Sequence, residues 1–266
     1  MIREAMVLGV ATILGGNAWG EPRTHPLVVA HRGFSSVYPE NTLASVRAAV
    51  ELGADWVEID TYLSKDQVPV LLHDRTLNRT VGRPGKVQEF TAAELGAMDA
   101  GSWKDPRFQG EKIPTLREAL AETQGRSILV IEIKQVDMES QVLDLIQEMN
   151  AYHDVMIFSF HASVIAKIHE LEPRLPSTWL LGSLPSEPLA QRKVLDTAAK
   201  LGASCVGISE RDFAEGFVRI CHLAGFPLAV WTVDDPEMQQ RLIRAGVDYI
   251  ITNKPDQLIE ILDNAQ

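Results

Sequence analysis

One unit recurs along this chain: an apolar-periodic helix, a glycine, two or so residues, then a short apolar run rich in β-branched residues. Leu43, Val46 and Val50 are spaced for one face of a helix, and Gly53 precedes the run that begins at Trp56. Gly125, Gly202, Gly225 and Gly246 stand in the same relation to later runs. Glycine after a helix supplies the left-handed conformation that ends it. Short helix-to-strand loops of this kind are what a parallel sheet with helical crossovers needs. Thr115 with Glu118 reads as a capping box, and Asp235 with Pro236 as an N-cap followed by a first-turn proline.

The apolar runs fall at residues 27–30, 56–59, 128–133, 155–160, 178–181, 205–208, 228–233 and 249–252, eight in all. Eight parallel strands alternating with helices predict an α/β fold, a closed (β/α)8 TIM barrel, at about the usual length. An open doubly wound sheet is the alternative. It normally brings a glycine-rich phosphate loop after its first strand, and here only His31-Arg32-Gly33 follows. A ninth run, 68–72, follows a four-residue turn at Ser64-Lys65-Asp66-Gln67 and is expected to return antiparallel. Residues 78–113 interrupt the pattern, hold their own capping box at Thr91 and Glu94, and are too long for an ordinary loop. They read as a small inserted subdomain after the second barrel strand, folded over one end of a barrel domain spanning 25–264.

The 266 residues suffice for a well-buried core, and no internal stretch is long enough to span a bilayer. A formal net charge of -11 with no basic stripe argues against nucleic-acid binding. It leaves room for a phosphate-bearing small substrate, because one metal and a few cations reverse the field locally. Cys205 and Cys221 form no disulfide framework and match no zinc spacing, so they read as buried thiols. Residues 1–20 carry an arginine, an apolar stretch and small residues ending Ala18-Trp19-Gly20, the outline of a signal peptide. Glu4 and the glycines fit a leader or a capping helix instead. A signal would place the mature protein in the periplasm or outside the cell; without one it is cytoplasmic.

The chemistry concentrates where runs end. Glu58 and Asp60 lie two apart on one run, so both carboxylates share a face, and the fold-back brings His73 near them. Charge inside an apolar strand is costly unless compensated, and a divalent cation compensates two carboxylates. Glu132 and Lys134 again lie two apart. His31 and Arg32 end the first run, Phe160 the fourth, Trp231 lies near the end of the seventh, and Asn253 follows the eighth. Active sites in such barrels form at the C-terminal ends of the strands. Each residue has a bland reading: a solvated histidine, an exposed edge-strand face for Glu58 and Asp60, a structural ion pair for Glu132 and Lys134, a core tryptophan. Convergence of three carboxylates, two histidines, an arginine and a lysine favours a site. Carboxylate ligation points to a hard cation, Mg2+ or Ca2+, rather than zinc. His25, His153, His169 and His222 read as structural, and His161 stays open.

The ordered motifs His31-Arg32-Gly33, Pro39-Glu40-Asn41-Thr42, Glu58-Ile59-Asp60, Leu72-His73-Asp74, Arg79-Thr80, Asp99-Ala100-Gly101-Ser102-Trp103, Glu132-Ile133-Lys134 and Ser159-Phe160 run through almost the whole chain after the leader. Together they resemble the glycerophosphodiester phosphodiesterase family. The resemblance implies a (β/α)8 barrel with an inserted subdomain, and metal-dependent hydrolysis of glycerophosphodiesters to sn-glycerol 3-phosphate and an alcohol. It implies Glu58, Asp60 and Glu132 as ligands of one divalent cation, and His31 and His73 as the general acid–base pair. Arg32 and Lys134 would hold phosphate oxygens, Glu40 would join the network near the metal or His31, and Phe160 and Trp231 would line the glycerol side. Gln67 stands where the family usually has glycine, and Val81 replaces a second threonine after Arg79-Thr80.

Three rival readings use the same residues. A lysophospholipase D-type phosphodiesterase acting on lysolipids needs an apolar groove. A glycosidase with paired barrel carboxylates leaves Arg32, Lys134 and both histidines without a task. A non-catalytic ligand-binding barrel has no reason to keep every matched position.

Overall fold

The structure is a computed structural model and describes residues 25–264; the expected leader lies outside them. In chain order the strands are β1 (Leu27–Ala30), β2 (Trp56–Leu63), β3 (Pro69–Leu71), β4 (Ile128–Ile133), β5 (Val155–Ser159), β6 (Ser177–Leu180), β7 (Cys205–Ser209), β8 (Leu228–Trp231) and β9 (Tyr249–Thr252). All but β3 are parallel neighbours, and β1 pairs with both β2 and β9, which closes the ring. This is the closed barrel of eight parallel strands that the sequence predicts, not the open sheet.

Helices α1 (Leu43–Leu52), α4 (Leu116–Thr123), α5 (Glu139–Glu148), α6 (Ala162–Leu171), α7 (Pro188–Leu201), α8 (Glu215–Leu223), α9 (Pro236–Ala245) and α10 (Pro255–Asp263) alternate with the barrel strands; α2 (Asn78–Val81) and α3 (Ala92–Leu95) belong to the insertion. The expected punctuation is present. Gly53, Gly202 and Gly246 are left-handed caps of α1, α7 and α9. Thr115 and Glu118 cap α4 reciprocally, and Asp235 accepts from the Met238 backbone at the start of α9.

Strand ends differ from the sequence reading by a few residues. β2 runs on to Leu63 because β3 pairs antiparallel with its far half, Thr61 facing Leu71 and Leu63 facing Pro69. β5 stops at Ser159 and β8 at Trp231, so Phe160 and Thr232 begin the loops. Lys134 lies one residue past β4, and its backbone N–H donates to the Thr61 carbonyl. The turn before β3 holds Gln67 at φ 62°, in the left-handed region, which explains why glycine suits that position.

Side-chain parity sorts each strand. Val57, Ile59, Leu129, Ile131 and Ile133 point outward and join helix residues such as Val46, Leu116 and Ile146 in the main core. Leu27, Val29, Trp56, Val130, Met156 and Ile251 point inward and fill the barrel with the Trp56 and Tyr249 rings 4.7 Å apart. Each fully buried aliphatic or aromatic side chain of this kind contributes roughly 1.5–3 kcal/mol relative to exposure. The insertion packs Val87, Leu95 and Ile113 against Val70, Leu72 and Leu77 of the return strand and the loop after it, in a separate small core. It is tied to the mouth of the barrel: the Lys65 N–H donates to the Phe90 carbonyl, and Lys104 Nζ donates to the Ser35 carbonyl at 2.8 Å.

Gly33 turns the chain out of β1 at φ 77°, and a Cβ there meets backbone atoms of Ser45 at 2.4–2.6 Å. Both the conformation and the close approach require glycine. Gly33→Ala is expected to lower stability by more than about 1 kcal/mol, seen as a lower urea midpoint at unchanged slope. An unchanged midpoint is incompatible with this packing.

Candidate active site

The inward parity that fills the floor of the barrel continues to its C-terminal end and there becomes polar. On β2 the inward positions after Trp56 are Glu58 and Asp60; on β4, Glu132 follows Val130. Asp60 lies directly opposite Glu132 in the parallel register. Glu58 is 2% and Asp60 0% exposed, which excludes a solvated edge-strand face. One oxygen from each of Glu58, Asp60 and Glu132 lies within 4.8 Å of the others.

Two cations and an amide partly compensate this charge. Lys134 Nζ lies 2.9 Å from Glu132 Oε1 and 3.2 Å from Asp60 Oδ1. Arg32 Nε lies 3.2 Å from Asp60 Oδ2. The Arg32 backbone adopts φ 56°, and its N–H donates to Glu58 Oε2 at 2.8 Å. Asn41 clasps Asp60: its Nδ2 donates to Oδ2 at 2.8 Å, and its Oδ1 accepts from the Asp60 N–H at 3.0 Å. Glu58 Oε1 is buried with no hydrogen-bond donor.

The ionisation of the three carboxyls reflects this unequal support. Burial pushes Glu58 well up, and Asp60 and Glu132 add to the effect. Burial, then Asp60, pushes Glu132 up to about 7. Burial also acts on Asp60, but Lys134 and Arg32 outweigh it and hold that carboxyl below its ordinary range. Asp60 is thus the firmly anionic member, and the other two are driven toward their neutral forms.

His31 and His73 line the same cavity but have unlike supports. Asn253 Nδ2 donates to Asp234 Oδ2 at 2.6 Å, so its Oδ1 faces His31 and accepts the Nδ1 proton at 2.7 Å. His73 Nδ1 donates to Asp74 Oδ1 at 2.8 Å. In both neutral rings the Nε2 lone pair is left free. Burial, then the neighbouring Arg32 charge, lowers His31 to about 4. Burial lowers His73 as well, with Asp60 and Asp74 acting in the opposite direction.

The cavity encloses about 500 Å3 of space, part of it open to solvent. His31, Arg32, Glu58, His73, Glu132 and Lys134 make its polar half. Phe158, Phe160, Leu180, Trp231 and Ile251 make an apolar half, with Phe160 set edge-on to Trp231 at 5.2 Å. Asp60 is fully buried outside the lining and is paired with Arg32 and Lys134 of the polar half. Glu40 is the expected site residue that stands apart: its Oε1 accepts from Arg32 Nη1 at 2.8 Å, and both its oxygens accept from Arg79. It supports Arg32 from behind and is not in the carboxylate cluster. Asn41, Asp74, Arg79, Asp234 and Asn253 orient the site; of these only Asn253 stands among the strand-end groups singled out in sequence. Inward parity marks Asn253, and the recognised motifs contain Asn41, Asp74 and Arg79. Asp234 had no sequence signal. His161, left open in sequence, places Nε2 3.2 Å from the Lys134 carbonyl outside the cavity lining.

Three comparisons bear on this geometry. Residues 31–257 match the model of the glycerophosphoryl diester phosphodiesterase family. The chain is 36% identical over 242 residues to a glycerophosphodiester phosphodiesterase of Caldanaerobacter subterraneus, covering 89% of this chain and 97% of that one. It is 31% identical over 269 residues to one of Bacillus subtilis, covering 94% and 90%. The structure superimposes on an Oleispira antarctica phosphodiesterase, solved with its product sn-glycerol-3-phosphate, at TM-score 0.81 and 29% identity, covering 90% of this chain and 97% of that one. A glycerophosphodiester phosphodiesterase of Agrobacterium tumefaciens aligns at TM-score 0.77, 29% identity, 88% and 99% coverage. The chain belongs to the glycerophosphoryl diester phosphodiesterase family, and with it to the phosphoric diester hydrolases.

Proposed function

We propose that the chain hydrolyses glycerophosphodiesters to sn-glycerol 3-phosphate and an alcohol, using one divalent cation and the His31–His73 pair. The observation that carries the reading is the pair of imidazoles, each fixed through Nδ1 and each offering Nε2 to a cavity that holds three carboxylates and two cations. The donor set fits a hard dication: only carboxylate oxygens, buried, with Glu58 Oε1 lacking a donor. With all three carboxylates ionised, as they would be around a cation, Arg32 and Lys134 leave one negative charge in excess. A dication and a diester monoanion together cancel it. When bound, Mg2+ or Ca2+ supplies Lewis-acid neutralisation of charge on the phosphoryl oxygens.

The unlike supports favour one division of labour between the histidines. His31 faces a neutral amide and a nearby guanidinium, so it stays uncharged and acts as the base. It takes the proton from water or from the glycerol 2-hydroxyl. His73 is lowered by burial too, but the Asp60 and Asp74 carboxylates favour its imidazolium, so of the two rings it is the one suited to act as the acid and protonate the departing alkoxide. Arg32 and Lys134 hold non-bridging oxygens as charge grows on them. Phe160 and Trp231 pack against the carbon skeleton.

Glycerophosphocholine hydrolysis tests the reading directly. Glycerol 3-phosphate is expected with added Mg2+ or Ca2+ and is expected to disappear with EDTA. No release from folded protein with either ion overturns the activity, and the same measurement on a lysolipid then tests the lysophospholipase D alternative. Leaving-group chemistry tests the acid. His73→Ala is expected to lose about 10²–10⁴-fold in kcat on the choline ester and far less when the alcohol is p-nitrophenol, whose anion leaves unprotonated. His31→Ala is expected to fall on both substrates. Equal losses for His73→Ala on both would refute the assignment.

The carboxylate cluster predicts its own stability profile. Glu132 has a folded pKa near 7, above the ordinary value of 4.5. The native state therefore holds the extra proton between those values, and stability falls as pH rises through that window. In chelator, Glu132→Gln is expected to gain up to about 3 kcal/mol over wild type at pH 8 and nearly nothing at pH 4. Denaturant titrations at the two values check it; a gain that is equal at both contradicts the buried-charge account.

A further inference from the structure

We propose that Arg79 is a positioning residue that holds the general acid His73 and the phosphate clamp Arg32 in one fixed relation; this rests on the reading of His73 and Arg32 given above. Arg79 belongs to α2, the first helix of the insertion, and does not line the cavity. Its guanidinium engages two carboxylates at once. Nε donates to Asp74 Oδ2 at 2.7 Å, Nη1 to Glu40 Oε2 at 2.7 Å and Nη2 to Glu40 Oε1 at 2.8 Å. Each carboxylate then spends another lone pair on the site. Asp74 Oδ1 accepts from His73 Nδ1 at 2.8 Å, and Glu40 Oε1 accepts from Arg32 Nη1 at 2.8 Å. The order His73–Asp74–Arg79–Glu40–Arg32 is thus unbroken, and its centre lies outside the cavity.

A lone, partly exposed arginine pair contributes little to stability, and Arg79 is 40% exposed. Its geometry distinguishes it from such a pair. Both partners are turned inward onto groups that face the cavity, and the Trp103 ring lies 5.8 Å from the guanidinium carbon, itself fixed by an indole N–H donated to the Ala100 carbonyl at 2.8 Å. A planar fork with donors in fixed directions can hold two carboxylates at a set angle; an ammonium on a flexible stem cannot. The insertion therefore supplies a brace between groups that leave the barrel from β1 and from beyond β3.

The test compares variants on two glycerophosphodiesters, one with choline and one with p-nitrophenol as the alcohol. Asp74→Asn cuts only the acid arm, and Glu40→Gln only the clamp arm. Asp74→Asn is expected to lower kcat about tenfold or more on the choline ester and to change little on the aryl ester. Glu40→Gln is expected to raise KM alike on both. Arg79→Lys, which keeps the charge and loses the fork, is expected to show both effects: lower kcat and higher KM on the choline ester, higher KM alone on the aryl ester. Wild-type kinetics in Arg79→Lys, or losses equal on both substrates, overturn the proposal. NMR of the His73 Nδ1 proton, assigned by its loss in His73→Ala, reads the same arm without turnover. Faster solvent exchange of that proton in Arg79→Lys supports the brace, and unchanged exchange refutes it. A wild-type protein that cleaves neither ester sinks the proposed function, while the proton exchange still decides on the brace.

Discussion

Three carboxylates buried side by side at the end of two neighbouring strands are the constraint on which the rest of the site depends. Desolvating one unpaired carboxylate costs several kcal/mol, and here two adjacent strands place three of them with an oxygen of each within 4.8 Å of the others. The surrounding sequence is organised to answer that charge. Arg32 takes a left-handed backbone so that its N–H meets Glu58 while its side chain meets Asp60. Gly33 makes that turn sterically possible. Asn41, also left-handed at φ 57°, closes on Asp60 from the start of α1. Lys134 reaches back from beyond β4. The loop between β1 and α1 has its shape because of the charge on β2.

Compensation stops short of complete, and the shortfall gives the site its chemistry. Asp60 receives most of the support and stays ionised, whereas Glu58 and Glu132 are driven toward their neutral forms. A cluster tuned for stability alone would pair them all or replace them with apolar residues. An acidic cluster that resists ionisation by itself is ready for a cation. The same asymmetry recurs in the histidines, one backed by an amide and one by a carboxylate. Two chemically identical rings differ in what lies behind them, and the proposed division of tasks rests on that difference.

The fold was legible because its signals are local and repeated: apolar runs, capping residues and glycines at helix ends. The carboxylates, His31 and Lys134 were legible for a related reason, since parity along a strand extends a buried face into the mouth of the barrel; Arg32 and His73 were legible from the strand end and the fold-back that they follow. What sequence conveyed poorly was the layer behind. Glu40 belongs with Arg32 and Arg79 because two loops distant in sequence meet there, and no periodicity encodes that meeting. Asp234 reaches Asn253 between adjacent strand ends in the same way. Residue type revealed which groups can do chemistry, while their orientation depended on long-range contacts.

Seen from the barrel, site and core are two ends of the same columns. On β4, Val130 belongs to the apolar filling and Glu132 to the carboxylate cluster; on β2, Trp56 precedes Glu58 and Asp60. The apolar floor excludes water from beneath the cluster, which strengthens every electrostatic interaction above it. It also prevents the carboxylates from relaxing into solvent on that side, so their charge faces the cavity. The cluster cannot be moved one residue along either strand without turning the carboxylates into the helix layer. Placement of the charge is therefore fixed by the register that closes the barrel, and the insertion, with Arg79 at its start, adds the groups that the barrel register does not reach.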